Sequence, residues 1–536
     1  MTDSDAVRIM GRLILVGAGP GDPDLITLRG AAALRRADVV LFDELASEEL
    51  LGLARVGAER INVGKRGHDP PTRSQDEIIH LIIERAHAGK VVVRLKGGDP
   101  FIFGRGGEEA SACVAAGIPY QIVPGVTSAL AAPAYAGIPL TDRRHSASFA
   151  VVTGHNDPGQ AAKGIRWREL GSAVDTLVIL MGMRNLRSLL GEIVDGGTAP
   201  ETPAAAVMNG TRPEQRVRVA TVASLADAVE EAGLKAPSVV VVGEVASLRE
   251  TLSWWEVSPL FGLGALVSRA PHQADELASA LRAAGAIPSI RPLIDLAAID
   301  GVEELTAIDA SLAKLESYDH VLFSSSNAVR FFIEHVERCG MEGKLTELSA
   351  RVLCIGEMTA RAAMDAGLTV QFILSADGGD AQAMLEEILR SSSPRGQRFL
   401  IPGSDISREV LPGGLREAGA EVDSVAFYRN RRPEVDAESL REDLVAGALP
   451  LLPFASPSAV RHFGDLLDPA SREACKRCII AAIGKTTAAA LAEIGLPAQV
   501  LSRRPGIREM VTALEEFVAE RRQNGELPGW PGEEDA

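Results

Sequence analysis

The sequence predicts an α/β protein of two successive domains, and three observations carry that prediction. Short β-branched runs alternate with helical stretches over the first 250 residues. The rhythm breaks once, around residues 248–264, and then restarts. The second half carries an internal duplication. A chain of 536 residues also exceeds the size at which a single core stops growing, about 250–300 residues.

In the first half the candidate strands are LILVGAG (13–19), VVLFD (39–43), VVVRLKG (91–97), YQIVPG (120–125), FAVVTG (149–154), TLVILMG (176–182) and SVVVVGE (238–244). Several are apolar almost throughout, the mark of strands buried on both faces of a largely parallel sheet. Helices lie between them. Ser74 with Glu77 forms a capping box that opens DEIIHLIIERAHAG, and Gly89 stands where a left-handed C-terminal cap belongs. The break LRETLSWWEVSPLFGLG holds two Trp, a Pro and two Gly, which places a boundary near 258–262. The expected domains are 11–257 and 262–522, followed by a disordered Gly-, Pro- and acid-rich tail at 523–536.

Two pairs of segments recur in the second half. FSSSNAVRFF (323–332) and FASPSAVRHF (454–463) share six of ten positions. IGEMTARAAMDAGL (355–368) and IGKTTAAALAEIGL (483–496) share Ile, Gly, Thr, Ala, Ala, Gly and Leu. A third pair, LRAAGA (281–286) and LREAGA (415–420), keeps the register, the offsets being 134, 131 and 128 residues. A period this long predicts two related α/β lobes, not a solenoid. Each copy sets a Ser-bearing strand end and an Ile-Gly-x-x-Thr-Ala turn at a helix start. Ser and Thr there can simply cap helices. If the lobes face each other, their helix N-termini converge on a cleft suited to carboxylates.

A formal net charge of −17 argues against broad nucleic-acid or anionic-membrane binding. No apolar run reaches the roughly 18–20 residues that span a bilayer, and MTDSDAVRIM lacks a signal-peptide core. The expected location is cytoplasmic. Five cysteines over this length do not suggest a disulfide framework, and Cys475-x-x-Cys478 has no apparent metal partners.

The loop Gly17-Ala18-Gly19-Pro20-Gly21-Asp22 follows a strand, as a dinucleotide fingerprint would, but its third glycine is replaced by Asp22 and Pro20 intrudes. A nicotinamide-dependent dehydrogenase is disfavoured on that ground. The ordered set GAGPGDPDLITLRG (17–30), VGKRG (63–67), VVRLKGGDPFIFGRGGEE (92–109), VPGVTSALAAPAYAGIPLTDR (123–143) and VTGH (152–155) resembles the uroporphyrinogen-III C-methyltransferases of the tetrapyrrole methylase superfamily over about residues 11–255. The resemblance implies two α/β subdomains with S-adenosyl-L-methionine held between them, S-adenosyl-L-homocysteine as product, no metal, and a homodimer formed through this domain.

Carried over by position, cofactor contacts fall on Pro20, Gly97, Gly98, Asp99, Ile102, Thr127, Ser128, Met181 and Gly210. Glycines admit close backbone approach, Asp99 can take a charged or hydroxyl donor, and Ile102 and Met181 supply apolar contact. Without the resemblance, Met181 reads as core, Asp43 as a helix cap and Lys65 as a solvated charge. With it, Asp43 takes the place of the proton acceptor and Lys65 that of the donor. Arg94, Lys96, Arg105, Lys65 and Arg66 are candidates for gripping the substrate's acetates and propionates.

Residues of about 262–522 resemble uroporphyrinogen-III synthases through FSSSNAV, CIGEMTARAAMDAGL, LIPGSDISREVLPGGLREAGAEVDSVAFYRN, FASPSAV and AAIGKTTAAAL. That family has two similar lobes joined by a two-stranded connection, the first lobe discontinuous, so the sequence repeat need not coincide with the lobes. Tyr428 matches the tyrosine assigned to help the substrate's hydroxyl depart, and Ser325, Ser456, Thr486 and Thr487 match cleft positions that bind carboxylates. Together the resemblances imply a tetrapyrrole methylase fold followed by a two-lobed synthase fold. The implied chemistry is cyclisation of hydroxymethylbilane to uroporphyrinogen III and its double methylation to precorrin-2. The alternatives are an active methyltransferase with a degenerate, regulatory or substrate-binding synthase half, and a methylase for a later corrin precursor.

Overall fold

A computed structural model describes residues 11–43, 48–55, 57–64, 73–154, 165–346, 348–374, 381–391, 393–406, 409–431, 433 and 435–526. The chain forms two compact units, the main division falling between Gly262 and Leu263.

In the first unit, β1 (Arg12–Gly17), β2 (Val39–Phe42), β3 (Glu59–Asn62), β4 (Val91–Lys96) and β5 (Tyr120–Val123) form a parallel sheet in the order β3-β2-β4-β1-β5. Side chains alternate along each strand, so its apolar run feeds two cores. Ile14, Val16, Val40, Val93 and Leu95 pack on one face, and Leu13, Leu15, Val39, Leu41 and Val92 on the other. The helix Gln75–His87 has the expected Ser74–Glu77 capping box, and Gly89 has φ 79°.

A second sheet holds β6 (Phe149–Thr153), β7 (Thr176–Leu180), β8 (Pro203–Met208), β9 (Arg216–Thr221) and β10 (Ser238–Val242), in the order β6-β7-β10-β8-β9. Here the expectation of a largely parallel sheet is corrected. Only β6 and β7 run parallel, while β7–β10, β10–β8 and β8–β9 are antiparallel. The chain turns directly from β8 into β9, and so short a connection returns a strand antiparallel. The seven expected strands are all present, each ending one or two residues earlier than its apolar run suggests.

The second unit contains β11 (Gly264–Val267), β12 (Ile287–Ile290), β13 (Asp295–Ala298), β14 (His320–Phe323), β15 (Arg351–Ile355), β16 (Val370–Leu374), β17 (Arg398–Ser404), β18 (Glu421–Arg431), β19 (Leu451–Phe454), β20 (Ile479–Ala482) and β21 (Val500–Leu501). Its two sheets run β12-β11-β19-β20-β21 and β13-β18-β17-β14-β15-β16. The order β12-β11-β19-β20-β21 has its counterpart in β18-β17-β14-β15-β16. Each lobe therefore combines the opening of one sequence repeat with the remainder of the other: β11–β12 joins β19–β21, and β17–β18 joins β14–β16. The repeat and the lobe do not coincide, because the two repeats have exchanged their first strand–helix–strand segments. The crossing chains pair antiparallel, β13 on β18, from Asp295↔Arg431 to Ala298↔Tyr428.

The shared residues of the repeat have shared jobs. Phe323 and Phe332 meet at 5.3 Å between ring centroids, and their counterparts Phe454 and Phe463 at 5.1 Å. All four are fully buried, one pair in each lobe's core. Ser325 accepts from the amide of Ala328, and Ser456 from that of Ala459, capping the helices Ser326–Arg338 and Pro457–Leu466. No described helix is long and apolar enough to cross a membrane. The expected tail lies outside the described residues after Glu526, and its first residue, Gln523, ends the helix Ile507–Gln523.

Buried His335 pairs with Phe427 O through Nε2 (3.2 Å), while Nδ1 lies 3.3 Å from the donating Nε of Arg338. That arrangement suits a neutral ring, and burial holds its pKa below the ordinary value. Burial depresses His320 in the same direction. The unfolded chain takes up these protons near about pH 6.5, before the folded one does. Their contribution to stability is thus present above that pH and is lost as pH falls through the lower folded values. The denaturation midpoint of the second unit should drop between about pH 7 and about pH 5. His335→Gln should flatten that dependence; an unchanged slope in urea titrations would count against it.

Candidate functional site

The C-terminal edge of the first sheet gathers three loops. Gly19 after β1 and Gly98 after β4 form a two-way backbone bridge, Gly98 N donating to Gly19 O at 2.7 Å and Gly19 N to Gly98 O at 3.3 Å. Behind it the backbones of Gly17, Gly98 and Gly125 touch. A Cβ on Gly17 would lie 2.5 Å from Gly125 Cα and 2.6 Å from Gly98 O, so no side chain fits there. Asp99 fixes this corner. Its Oδ1 accepts from Phe101 N (2.8 Å) and its Oδ2 from Gly125 N (3.0 Å). Each oxygen of Asp99 thus accepts one backbone amide and keeps a second lone pair for a charged or hydroxyl donor.

The second sheet closes on the same corner. Leu180 pairs with Val239 and Met208 with Ser238, so the ends of β7 and β8 lie at one edge. Met181 follows β7 with φ 56° and is 51% exposed. A long apolar side chain in the left-handed region at a strand end is strained and outward-facing, which excludes the core reading. After β8, Asn209 and Thr211 are also left-handed. Thr211 Oγ1 accepts from Asp22 N (3.1 Å), and Asp22 Oδ2 accepts from Tyr135 Oη (3.0 Å). A carboxylate thus stands where a dinucleotide's diphosphate would need amides, the physical reason the dehydrogenase reading fails. Gly210 packs on the helix Ser128–Tyr135, which Thr127 caps. Pro20, Gly97, Thr127 and Ser128 are half-buried around this corner, and Ile102 is 44% exposed.

Asp43, just past β2, stands at the same edge. Its Oδ2 lies 3.4 Å from Arg94 Nη2, and its Oδ1 is buried without a hydrogen-bond partner among the described residues. Arg94 and Lys96, both buried, also reach Glu109 Oε1, at 3.4 and 3.2 Å. Desolvation and then the Arg94 charge lower the Lys96 pKa, against the pull of Glu109 and Asp43. The expectation that Arg94 and Lys96 grip substrate is corrected: these side chains face an internal carboxylate pair. Arg105 is exposed but bound in a fork to Glu108, with both contacts at 2.8 Å. Lys65 and Arg66 lie outside the described residues.

In the second unit an open cleft of about 190 Å³ lies between the lobes, lined by the starts of the two Ser-capped helices, the end of β11 and the crossing strands. Tyr428 lines it while stacking on Phe331, 4.8 Å between centroids and 13° from parallel. Burial raises its pKa, against hydrogen bonding from Ser325 and Ser404, so the phenol is protonated at neutral pH. The ring is core and the hydroxyl faces polar groups. Ser456 also lines the cleft. Thr487 is corrected, being buried in the helix Lys485–Glu493; Thr486 is exposed, and neither it nor Ser325 is among the residues lining this pocket.

Three further lining residues escaped the sequence reading. Ser268 Oγ and Asn430 Oδ1 are buried without partners among the described residues, and Arg269 pairs with Glu276 at 2.8 Å. ALVSRA and AFYRN show only strand ends; lobe exchange alone brings those ends together. Glu109 was equally hidden, since in Glu108-Glu109 only the fold buries the second. Cys475 and Cys478 are buried thiols raised to about 12 and about 11, and among the described residues no His/Cys/Asp/Glu group could hold a metal.

Residues 12–226 match the family model of the tetrapyrrole (corrin/porphyrin) methylases, and residues 275–512 that of uroporphyrinogen-III synthase HemD. A porphyrin biosynthesis protein HemD of Ruminiclostridium josui is 36% identical over 455 residues, 84% of this chain and 88% of that protein. An S-adenosyl-L-methionine-dependent uroporphyrinogen III methyltransferase of Methanosarcina barkeri is 46% identical over 242 residues, 45% of this chain and 94% of that one. A siroheme synthase of Pseudomonas fluorescens is 48% identical over 254 residues, 47% of this chain but only 54% of its own length.

A Cβ at Gly210 would stand 2.3 Å from Ala132 Cβ. Gly210→Ala should therefore destabilise the first unit by about 1–3 kcal/mol, read as a lower unfolding midpoint, with the second unit's transition unchanged.

Proposed function

The chain belongs to the tetrapyrrole methylases through its first unit and to the uroporphyrinogen-III synthases through its second, and on that premise we propose that it performs two consecutive steps. The second unit cyclises hydroxymethylbilane to uroporphyrinogen III. The first methylates that product twice with S-adenosyl-L-methionine, giving precorrin-2. The observation that supports this reading is that each unit presents a reactive side chain in a prepared state: Asp43 with one carboxylate oxygen unpaired among the described residues, and Tyr428 as a neutral phenol in a cleft.

The corner of the first unit fits the cofactor. Gly98, left-handed at φ 66°, leaves open space beside Thr127 and Ser128, with nothing nearer a Cβ than 3.8 Å. Ile102 and Met181 are apolar and outward-facing, which suits a purine face and an aliphatic chain. S-adenosyl-L-methionine, when bound, supplies a methyl group on a positively charged sulfonium. The chain's part is alignment and proton removal. Attack by a pyrrole carbon forms a C–C bond as the S–C bond breaks, and a proton then leaves the substrate framework. Asp43 Oδ1 accepts it, while Arg94 keeps Oδ2 occupied. Lys65, from the resemblance, is the proposed donor, and Arg105 a proposed contact for a substrate carboxylate. Homodimerisation through this unit and a cytoplasmic location belong to the same proposal.

In the cleft, the starts of the helices Ser326–Arg338 and Pro457–Leu466 bind acetate and propionate carboxylates. Ser268, Arg269 and Asn430 complete that lining. Tyr428 donates its proton to the departing hydroxyl, which leaves as water when the C–O bond breaks; the ring then closes with the last pyrrole inverted.

The test supplies hydroxymethylbilane to the whole chain with and without S-adenosyl-L-methionine and follows products by absorbance and mass. Uroporphyrinogen III alone, and a dimethylated product once the methyl donor is added, are expected. Formation of only the type I isomer would refute the synthase step. Asp43→Ala should reduce methylation by about 10²–10⁴-fold and spare cyclisation. Tyr428→Phe should do the reverse.

A further inference from the structure

Glu109 is the least exposed charged side chain of the first unit's site, at 0%, on the helix Gly106–Ala115. Three donors converge on its Oε1: Arg94 Nε, Lys96 Nζ and Gln75 Nε2, the last at 3.1 Å. Its Oε2 has no partner among the described residues. Buried ion pairs seldom add net stability over apolar packing, so fold stability alone gives no reason for such a group. What the cluster does provide is direction. Arg94 is held on every side of its planar fork: Nε on Glu109, Nη1 on the carbonyls of Leu41 and Leu95 at 3.4 and 2.8 Å, and Nη2 on Asp43 at 3.4 Å. A guanidinium so tied cannot rotate, and its one remaining edge faces Asp43 Oδ2.

We infer that Glu109 is a positioning residue for Asp43, acting through Arg94. Glu109 orients the guanidinium and shares its charge, so Asp43 is held by Oδ2 alone and Oδ1 is left for the proton. The inference rests on the proposed role of Asp43. The charged groups in the cluster are Arg94 and Lys96 from β4 and Glu109 from its helix, with uncharged Gln75 facing Glu109 from the helix Gln75–His87. Glu108 lies nearby, paired with Arg105, and the Cys113 thiol feels the Glu109 charge. With two carboxylates and two cations the cluster is balanced. Neutralising Glu109 leaves excess positive charge beside Asp43, which makes Asp43 a weaker base. Shortening Arg94 removes its hold on Asp43, which makes Asp43 a stronger one.

The whole chain is assayed for methylation of uroporphyrinogen III with S-adenosyl-L-methionine across pH, as wild type, Glu109→Gln, Arg94→Lys and Asp43→Asn. Glu109→Gln should move the acid limb of the rate profile down by about one pH unit. It should lower kcat by about ten- to a hundred-fold, with KM for S-adenosyl-L-methionine nearly unchanged. Arg94→Lys should move the limb the opposite way, and it carries the test alone if Glu109→Gln does not fold. A limb that stays in place in a folded variant, however much melting temperature falls, overturns the positioning role. If Asp43→Asn keeps both rate and limb, the reading of Asp43 itself fails, and the inference with it.

Discussion

Three backbones meet without side chains between them at Gly17, Gly98 and Gly125, and the first unit's site depends on that contact. Parallel strands place all their C-terminal ends on one edge, so the loops that follow must crowd there. Glycine lets the loops after β1, β4 and β5 interlock as a rigid floor, which Asp99 locks through two backbone amides. Because the floor is fixed, the ends of β7 and β8 have a surface to close on, and Met181 and Gly210 arrive at the same corner. A methyl transfer from an activated donor asks for alignment above all, and a floor of backbone contacts is a stiff way to supply it.

The second unit reaches its cleft by another route. Two copies of one sequence motif have exchanged their opening strand–helix–strand segments, so neither lobe can form from one repeat alone. The crossing strands run past each other at β13 and β18, and Tyr428 sits on that crossing. The exchange aligns the two Ser-capped helices with the cleft, and Gln273 ties to Asn327 across it at 2.7 Å. A flexible linear substrate with many carboxylates would meet two helix N-termini and a neutral phenol, which is the order the chemistry requires: bind, fold, then protonate. The two sites differ in kind. One is built on a close-packed floor with a buried charge cluster, the other on an open cleft lined by two helix starts and Tyr428.

The gain from the structure differs from residue to residue. Asp43, Gly98, Thr127 and Met181 stand in the loops that follow strand ends, which is where such motifs sit, whereas Tyr428 lies inside β18 where the two chains cross. As cations in a motif Arg94 and Lys96 look available to substrate, but the sheet turns them inward toward Glu109. Thr487 shares a repeat position with the buried Thr359, and both face the core instead of the cleft. Repetition in sequence marks packing at least as often as binding.

The sequence by itself determined the α/β class, the two-domain order, the capped helix of Ser74, the seven apolar strands and the long duplication. All but the duplication are written in local periodicity, capping and motif order, and the duplication needs only the comparison of two stretches of the chain; none needs knowledge of what lies opposite. Only the tertiary structure decided the mixed direction of the second sheet, the exchange between repeats, the meeting of Ser268, Arg269 and Asn430, and the inward turn of Arg94. Those features depend on which residues distant in the chain become neighbours. Burial then decides whether a charge stays in water or takes a partner, and neither periodicity nor motif spacing records that choice.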